Sequence, residues 1–171
     1  MDILKTSTDW ARTEILSTSL FIVFGVVFIA ASIGFWQLGK TDLAKAYVIP
    51  LAIAGALLTI IGLGLSYTNY KRVPEFQLAY DENKAEFVKS EIDRAEATLK
   101  EYDTIVFTAI PLIIVACGLG LLFLSSPYWR AGLITTLAML AIILSIDGTA
   151  QSRIQIYYEL LMETRERQKE D

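Results

Sequence analysis

The chain has 171 residues, of which 54% are hydrophobic and 20% are charged, and its formal net charge is −4. An acidic chain has no general attraction for nucleic acid, so we expect no nucleic-acid partner. The sequence contains no histidine and a single cysteine, Cys117. This composition excludes an intramolecular disulfide, histidine-based metal or haem sites and a Ser-His-Asp triad.

Four apolar segments predict four membrane-spanning helices. They cover residues 15–36, 47–67, 104–124 and 131–149, and only the last contains a charged residue, Asp147. Each is close to the about 20 residues that a helix needs to cross a bilayer. We therefore predict an all-α fold, a four-transmembrane-helix bundle that forms a single integral membrane domain over residues 1–171. A capping residue at Thr8 or Asp9 would begin the first helix.

Two polar segments are predicted to extend the third and fourth spans as cytoplasmic helices, at residues 75–103 and 150–168. In both, apolar residues recur at steps of three and four, which is typical of a helix that packs against another helix. Pro74 is expected to separate the second span from the first of these helices. The two apolar faces could cover each other or bind another protein. Their candidate interaction residues are Val88, Ile92, Arg94, Ala95, Leu99, Tyr102, Tyr157, Tyr158 and Leu161.

The distribution of positive charge predicts the orientation. Residues 1–14, 68–103 and 150–171 carry twelve Lys and Arg residues (two, six and four), whereas the two remaining loops carry three. The positive-inside rule then places both termini and the central polar segment in the cytoplasm. We expect a multi-pass protein of a bacterial inner membrane.

Small residues at four-residue spacing are candidates for close helix contacts within the bilayer. We also expect the chain to self-associate or to bind another membrane protein, and these small residues are one candidate face for it. The pairs are Ala30 with Gly34, Ala52 with Ala56, Gly62 with Ser66, and Ala116 with Gly120.

Few residues of this chain could carry chemistry. Asp147 is the best intramembrane candidate, because it could hold a cation or a proton, or pair with Lys71, Arg72 or Arg153 at the interface. Glu14 and Asp103 are interpreted as solvated residues at the edges of their spans. Arg94 could pair with Glu91 one turn away, or reach Glu159 or Glu163 on the tail. Since no serine or threonine has an evident general base and no phosphate-binding loop is present, we predict a protein that is not an enzyme and needs no cofactor.

Two classes of function remain open. The first is a non-catalytic binding protein, either an immunity protein against a membrane-acting toxin or an accessory subunit of a larger complex. In size, number of spans and cytoplasmic termini the chain resembles the colicin A-type immunity proteins, with no shared motif. The second is a small homo-oligomeric channel or carrier. Its pore would be lined by polar residues of the spans, namely Thr18, Ser19, Ser32, Thr59, Thr108, Thr135 and Ser145.

Overall fold

The structure, a computed structural model, describes the backbone of residues 3–170 and the side chains of residues 3–168. Every regular element in this part of the chain is helical, which confirms the all-α prediction. The elements are α1 (Ile3–Leu38), α2 (Asp42–Ala46), α3 (Val48–Glu82), α4 (Lys84–Glu101), a π-helical segment (Tyr102–Ala109), α5 (Ile110–Phe123) and α6 (Pro127–Glu170).

Four helical rods are long and apolar enough to cross a membrane, as predicted. They comprise Ile3–Leu38, Asp42–Glu82, Lys84–Phe123 and Pro127–Gln168, and the shortest has 36 residues. At about 1.5 Å per residue such a rod is roughly 54 Å long, well beyond the about 30 Å of a hydrocarbon core. All four rods therefore continue past their apolar segments, whereas the sequence predicted this only for the third and fourth.

The predicted helix over residues 75–103 is interrupted. Helix α3 runs through Pro74 to Glu82, so Pro74 does not separate the two helices. The break falls at Asn83, whose backbone is extended and whose side chain accepts hydrogen bonds from the backbone N–H groups of Ala85 and Glu86. An asparagine in this position caps a helix and satisfies donors that have no partner in the first turn. The new helix α4 then passes through the π-helical segment into α5.

Helix α1 begins at Ile3, so the predicted start at Thr8 or Asp9 is wrong. One face of the helix is buried at intervals of three and four residues along most of its length. Because this face continues through the polar residues that follow Ile3, packing stabilises the first described turns of the helix. The buried residues are Ile3, Ser7, Ala11, Glu14, Thr18, Phe21, Gly25 and Ser32.

The π-helical segment lies immediately before Pro111. Proline has no N–H group to donate to the preceding turn, and its ring crowds the carbonyl group four residues earlier. The wider helix relieves this crowding: the Ile110 N–H donates to the Ile105 carbonyl, five residues back. The Thr108 hydroxyl donates to the Asp103 carbonyl oxygen at 2.7 Å. Polar backbone groups near the predicted boundary of the third span are thus satisfied within the helix.

One hydrophobic core lies at the end of the molecule where the polar parts of all four rods meet. We call this end the distal bundle and define it as residues 3–14, 68–101 and 150–168. Here α4 and α6 pack against each other, and α6 also packs against the beginning of α1. The two helices therefore cover each other within one chain. The buried core residues are Ile3, Ala11, Phe76, Phe87, Val88, Ile92, Ala95, Ile154, Tyr157 and Leu161.

The apolar half is organised around a close contact between α1 and α3. A Cβ atom added to Gly55 would lie 2.7 Å from the Gly25 carbonyl oxygen, and one added to Gly62 would lie 2.9 Å from the Ile22 nitrogen. The two backbones therefore touch where glycines face each other. Of the predicted small pairs, Gly62 with Ser66 lies in this contact, and the Ser66 hydroxyl is hydrogen-bonded to Thr18. Ala30, Ala52 and Ala56 are exposed.

Helix α5 lies at the edge of the apolar half. Among the other long helices of the described chain it contacts only α6, and the second core cluster, built on Phe21, Leu58 and Ile146, contains no residue of α5. Its large side chains are correspondingly exposed, as Leu112 and Leu122 illustrate. The apolar half is thus three packed helices with a fourth beside one of them.

Replacing Gly55 with valine should destabilise the protein by about 1–3 kcal/mol, because the new side chain must displace the α1 backbone. Gly64→Val is a matched control on the same helix, since a Cβ atom there meets nothing within 4 Å. The free energy of unfolding of both variants can be measured by circular dichroism. The purified protein in mixed micelles is unfolded with increasing amounts of a denaturing detergent. Equal loss of stability in the two variants would contradict the close contact.

Candidate functional site

A polar cluster is buried inside the distal bundle, with Tyr157 of α6 at its centre. The Tyr157 hydroxyl lies 2.8 Å from Ser7 Oγ of α1 and 2.8 Å from Glu91 Oε2 of α4. Its one proton can be donated to only one of them at a time. The Ser7 hydroxyl in turn donates to the Ile3 carbonyl oxygen at 2.8 Å. The cluster therefore joins α1, α4 and α6 through one tyrosine.

Arg94 neutralises the buried carboxylate of Glu91. Its Nε and Nη2 atoms donate to the two carboxylate oxygens at 2.9 and 2.6 Å, a bidentate arrangement. The guanidinium also lies over the ring of Trp10, 4.5 Å from the ring centroid. Trp10 stacks on Tyr157 with centroids 5.0 Å apart and planes 7° from parallel. The cation is held between a carboxylate and an aromatic face.

Burial and charge affect the protonation of these groups in different ways. Burial alone would lower the pKa of Arg94, but the hydrogen bond and charge of Glu91 outweigh it, so the pKa of this arginine is raised. Burial, followed by the nearby Glu91 carboxylate, raises the pKa of the Tyr157 phenol. Arg94 stays cationic and Tyr157 stays a neutral hydrogen-bond donor. These two groups therefore keep the same charge over the physiological pH range.

A second ion pair connects α6 to α1. Arg153 Nε donates to Glu14 Oε1 at 2.8 Å, across a sequence separation of 139 residues. Glu14 is only 6% exposed, so its interpretation as a solvated residue is wrong. It falls on the buried face of α1, where an unpaired carboxylate would be costly, and Arg153 offsets that cost.

A cavity of about 190 Å³ lies between α1, α3, α4 and α6, where the distal bundle meets the apolar segments. Its apolar lining includes Phe21 and Leu65 from the apolar segments and Trp10 from the distal bundle. Polar groups from four helices converge on it. Those with ionisable or amide side chains in the interior are Glu14, Asn69, Arg72, Arg94 and Asp147, and Tyr102 lies beside them.

The predicted interaction residues lie close together, but they pack against one another within a single molecule. Five of them are at most 3% exposed, and the other four, Arg94, Leu99, Tyr102 and Tyr158, are partly buried around the same core. The pairing of α4 with α6 therefore uses this surface within one molecule. The five buried residues are Val88, Ile92, Ala95, Tyr157 and Leu161.

Asp147 lies at the cavity wall and is half-buried. Among the described residues it makes no ion pair or hydrogen bond, so none of the partners considered from the sequence pairs with it. Arg153 pairs with Glu14, Arg72 donates to the Asn69 side chain at 2.9 Å, and Lys71 lies over the ring of Tyr67. Of the two possibilities for Arg94, the structure has the pair with Glu91.

Sequence reasoning missed Ser7, Trp10, Asn69 and the burial of Glu14. A signal for two of these exists, because Ser7 follows Ile3 by four residues and Glu14 follows Ser7 by seven along α1. Extending the apolar periodicity into the polar beginning of the chain would have placed Ser7 and Glu14 on the packed face. No comparable pattern marks Asn69.

The described side chains contain no group of three or more Asp, Glu or Cys residues that could hold a metal ion. Comparisons of this chain with models of protein families, with curated proteins and with solved structures find no match. The function must therefore be inferred from the geometry described above.

Replacing Glu91 with glutamine should destabilise the protein by about 3 kcal/mol, because it leaves the Arg94 cation largely buried without a counter-ion. The control is Glu163→Gln. Glu163 forms the same kind of pair with Arg167 one turn along α6, but both side chains are more than half exposed. The loss there should be below about 1 kcal/mol. Chemical denaturation in micelles measures the loss of unfolding free energy in both variants. Equal losses would show that the buried ion pair stabilises the protein no more than an exposed one.

Proposed function

We propose that this chain is a non-catalytic membrane protein that presents its distal bundle to a protein partner. The observation that carries this proposal is the buried polar cluster. The Tyr157 hydroxyl, the Glu91 carboxylate and the Arg94 guanidinium are bonded to one another, so none of them is offered to a substrate. Their effect is to join three helices into a preorganised body, which lowers the ordering cost of binding.

The exposed surface of residues 75–103 suggests the chemistry of that partner. Eight acidic side chains in this range are exposed, against three lysines. Such a surface favours a partner that carries a basic patch, since complementary charge speeds association and rejects wrong partners. The exposed acidic residues are Glu75, Asp81, Glu82, Glu86, Asp93, Glu96, Glu101 and Asp103.

Two versions of this function fit the same surface. An immunity protein would use the bundle or the spans to block a membrane-acting toxin, and an accessory subunit would use them to dock on a larger complex. We place the protein in a bacterial inner membrane with the distal bundle in the cytoplasm. The excess of Lys and Arg in the segments that build the bundle supports this orientation.

The alternative of a channel or carrier has less support. The polar residues considered as a pore lining do not follow one path through the described chain. Ser32 donates to the Val48 carbonyl and Thr59 to the Gly55 carbonyl, while Thr108 and Ser145 are exposed. Thr18 is bonded to Ser66 in the contact between α1 and α3. Any pore would have to be built from several copies of the chain.

Cysteine labelling tests the orientation, in a Cys117→Ala background. A cysteine at Glu96 should resist a membrane-impermeant maleimide in spheroplasts and react in inverted vesicles. A cysteine at Lys40, in the opposite loop, should show the reverse pattern. Both positions are exposed, so access to the reagent is limited by the membrane alone. The reverse outcome at both positions would overturn the cytoplasmic placement.

Site-specific photocrosslinking in native membranes tests the binding face. A photoreactive amino acid at Asp93, which is exposed, should give a protein adduct of one defined mass, and this adduct should weaken as salt screens the acidic surface. The matched control is Val88 on the same helix, which is 0% exposed and should give no intermolecular adduct. If Asp93, Glu86 and Glu96 all yield no protein adduct, the exposed face of α4 does not bind a partner.

A further inference from the structure

The cavity between the distal bundle and the apolar segments has no part in the function proposed above. It is lined by four ionisable residues, one each from α1, α3, α4 and α6, together with Glu101 at its edge and Tyr102. Its about 190 Å³ is room for roughly six water molecules at about 30 Å³ each. Polar groups that converge on one cavity can fix the orientation of a small polar molecule.

The internal ion pairs leave two charges without a partner. Glu91 neutralises Arg94, and Arg153 neutralises Glu14. In the described chain no carboxylate lies within ion-pair distance of Arg72, whose guanidinium donates a hydrogen bond to the neutral Asn69 amide. Asp147 has neither an ion pair nor a hydrogen bond there. One guanidinium and one carboxylate therefore line the cavity without an oppositely charged side chain within ion-pair distance.

The surroundings of Arg72 make its cationic form less favourable, so a bound anion would stabilise this side chain. Burial and then the neighbouring Arg94 cation lower the pKa of Arg72, and the more weakly acting carboxylates of Glu91 and Glu75 offset this only in part. The guanidinium also lies 6.0 Å from the centroid of the Trp10 ring. A bound carboxylate or phosphate would offset both unfavourable effects, and a guanidinium can hold either group with two hydrogen bonds.

From these observations we propose that the cavity binds a small soluble zwitterion of the amino-acid class. Its acidic group is bound by Arg72 and its ammonium group by Asp147. Arg72 lies beyond the end of the second apolar segment, whereas Asp147 lies in the last turn of the fourth, so the ammonium end is nearer the bilayer. The headgroup of an ethanolamine phospholipid has the opposite order, because its phosphate is attached to the lipid and its ammonium points away. This argues for a free zwitterion over a lipid headgroup.

The purified full-length protein in detergent provides the first test. We expect at least one of the twenty amino acids to raise the melting temperature by about 3 °C or more. The substitutions Arg72→Gln and Asp147→Asn should each weaken its Kd about tenfold or more, since each removes a charged hydrogen-bonding partner. Lys71→Gln and Asp103→Asn are matched controls, exposed neighbours that do not line the cavity, and should leave the Kd unchanged.

Ligand analogues make the test independent of how the variants fold. The methyl ester of the amino acid that binds has no free acid group, so it should bind the wild type and Arg72→Gln with the same Kd. The deaminated analogue has no ammonium group, so its Kd should be the same for the wild type and for Asp147→Asn.

Three outcomes would overturn the proposal. In the first, no amino acid stabilises the protein. In the second, the stabilisation is unaffected by both cavity substitutions. In the third, phosphatidylethanolamine is added in mixed micelles, and native mass spectrometry shows that it binds the protein. If both substitutions weaken this binding and amino acids do not compete with it, the occupant is a lipid headgroup. None of these results depends on whether the acidic face of α4 binds a partner.

Discussion

The bidentate pair between Glu91 and Arg94 constrains the rest of the distal bundle. A buried carboxylate and a largely buried guanidinium are tolerated only if both are fully bonded, because removing either partner leaves an uncompensated charge. Satisfying them here requires Tyr157 to donate from α6 and Trp10 to stack from α1. The rotation and axial position of three helices are therefore determined together, and the hydrophobic core packs around this arrangement.

The two halves of the molecule are stabilised by different forces. In the distal bundle, burial of apolar side chains from water is available, and α4 with α6 supplies a continuous core. In the apolar half lipid is as apolar as the side chains, so association depends on van der Waals contact and polar bonds. The contact of Gly25 with Gly55 and the hydrogen bond between Thr18 and Ser66 provide these. Helix α5 has neither kind of contact with α1 or α3 and lies at the edge.

The cavity lies between two regions that pack differently. In the distal bundle α1 and α6 contact each other through the stacked rings of Trp10 and Tyr157, and in the apolar half α1 and α3 touch through glycines. The cavity is the gap between these two regions. The chain lines this gap with charged and polar groups, whereas in a purely structural gap apolar side chains would be cheaper to bury.

The sequence by itself determined the helical class, the number of membrane-length rods and the apolar faces of α4 and α6, because hydropathy and periodicity are local properties. Only the tertiary structure decided how these elements meet. It showed that α4 and α6 cover each other within one chain, that Arg153 pairs with Glu14, and that Asp147 remains without a counter-ion. Which carboxylate neutralises which arginine depends on the rotation and register of helices far apart in the chain, and a one-dimensional pattern does not contain that information.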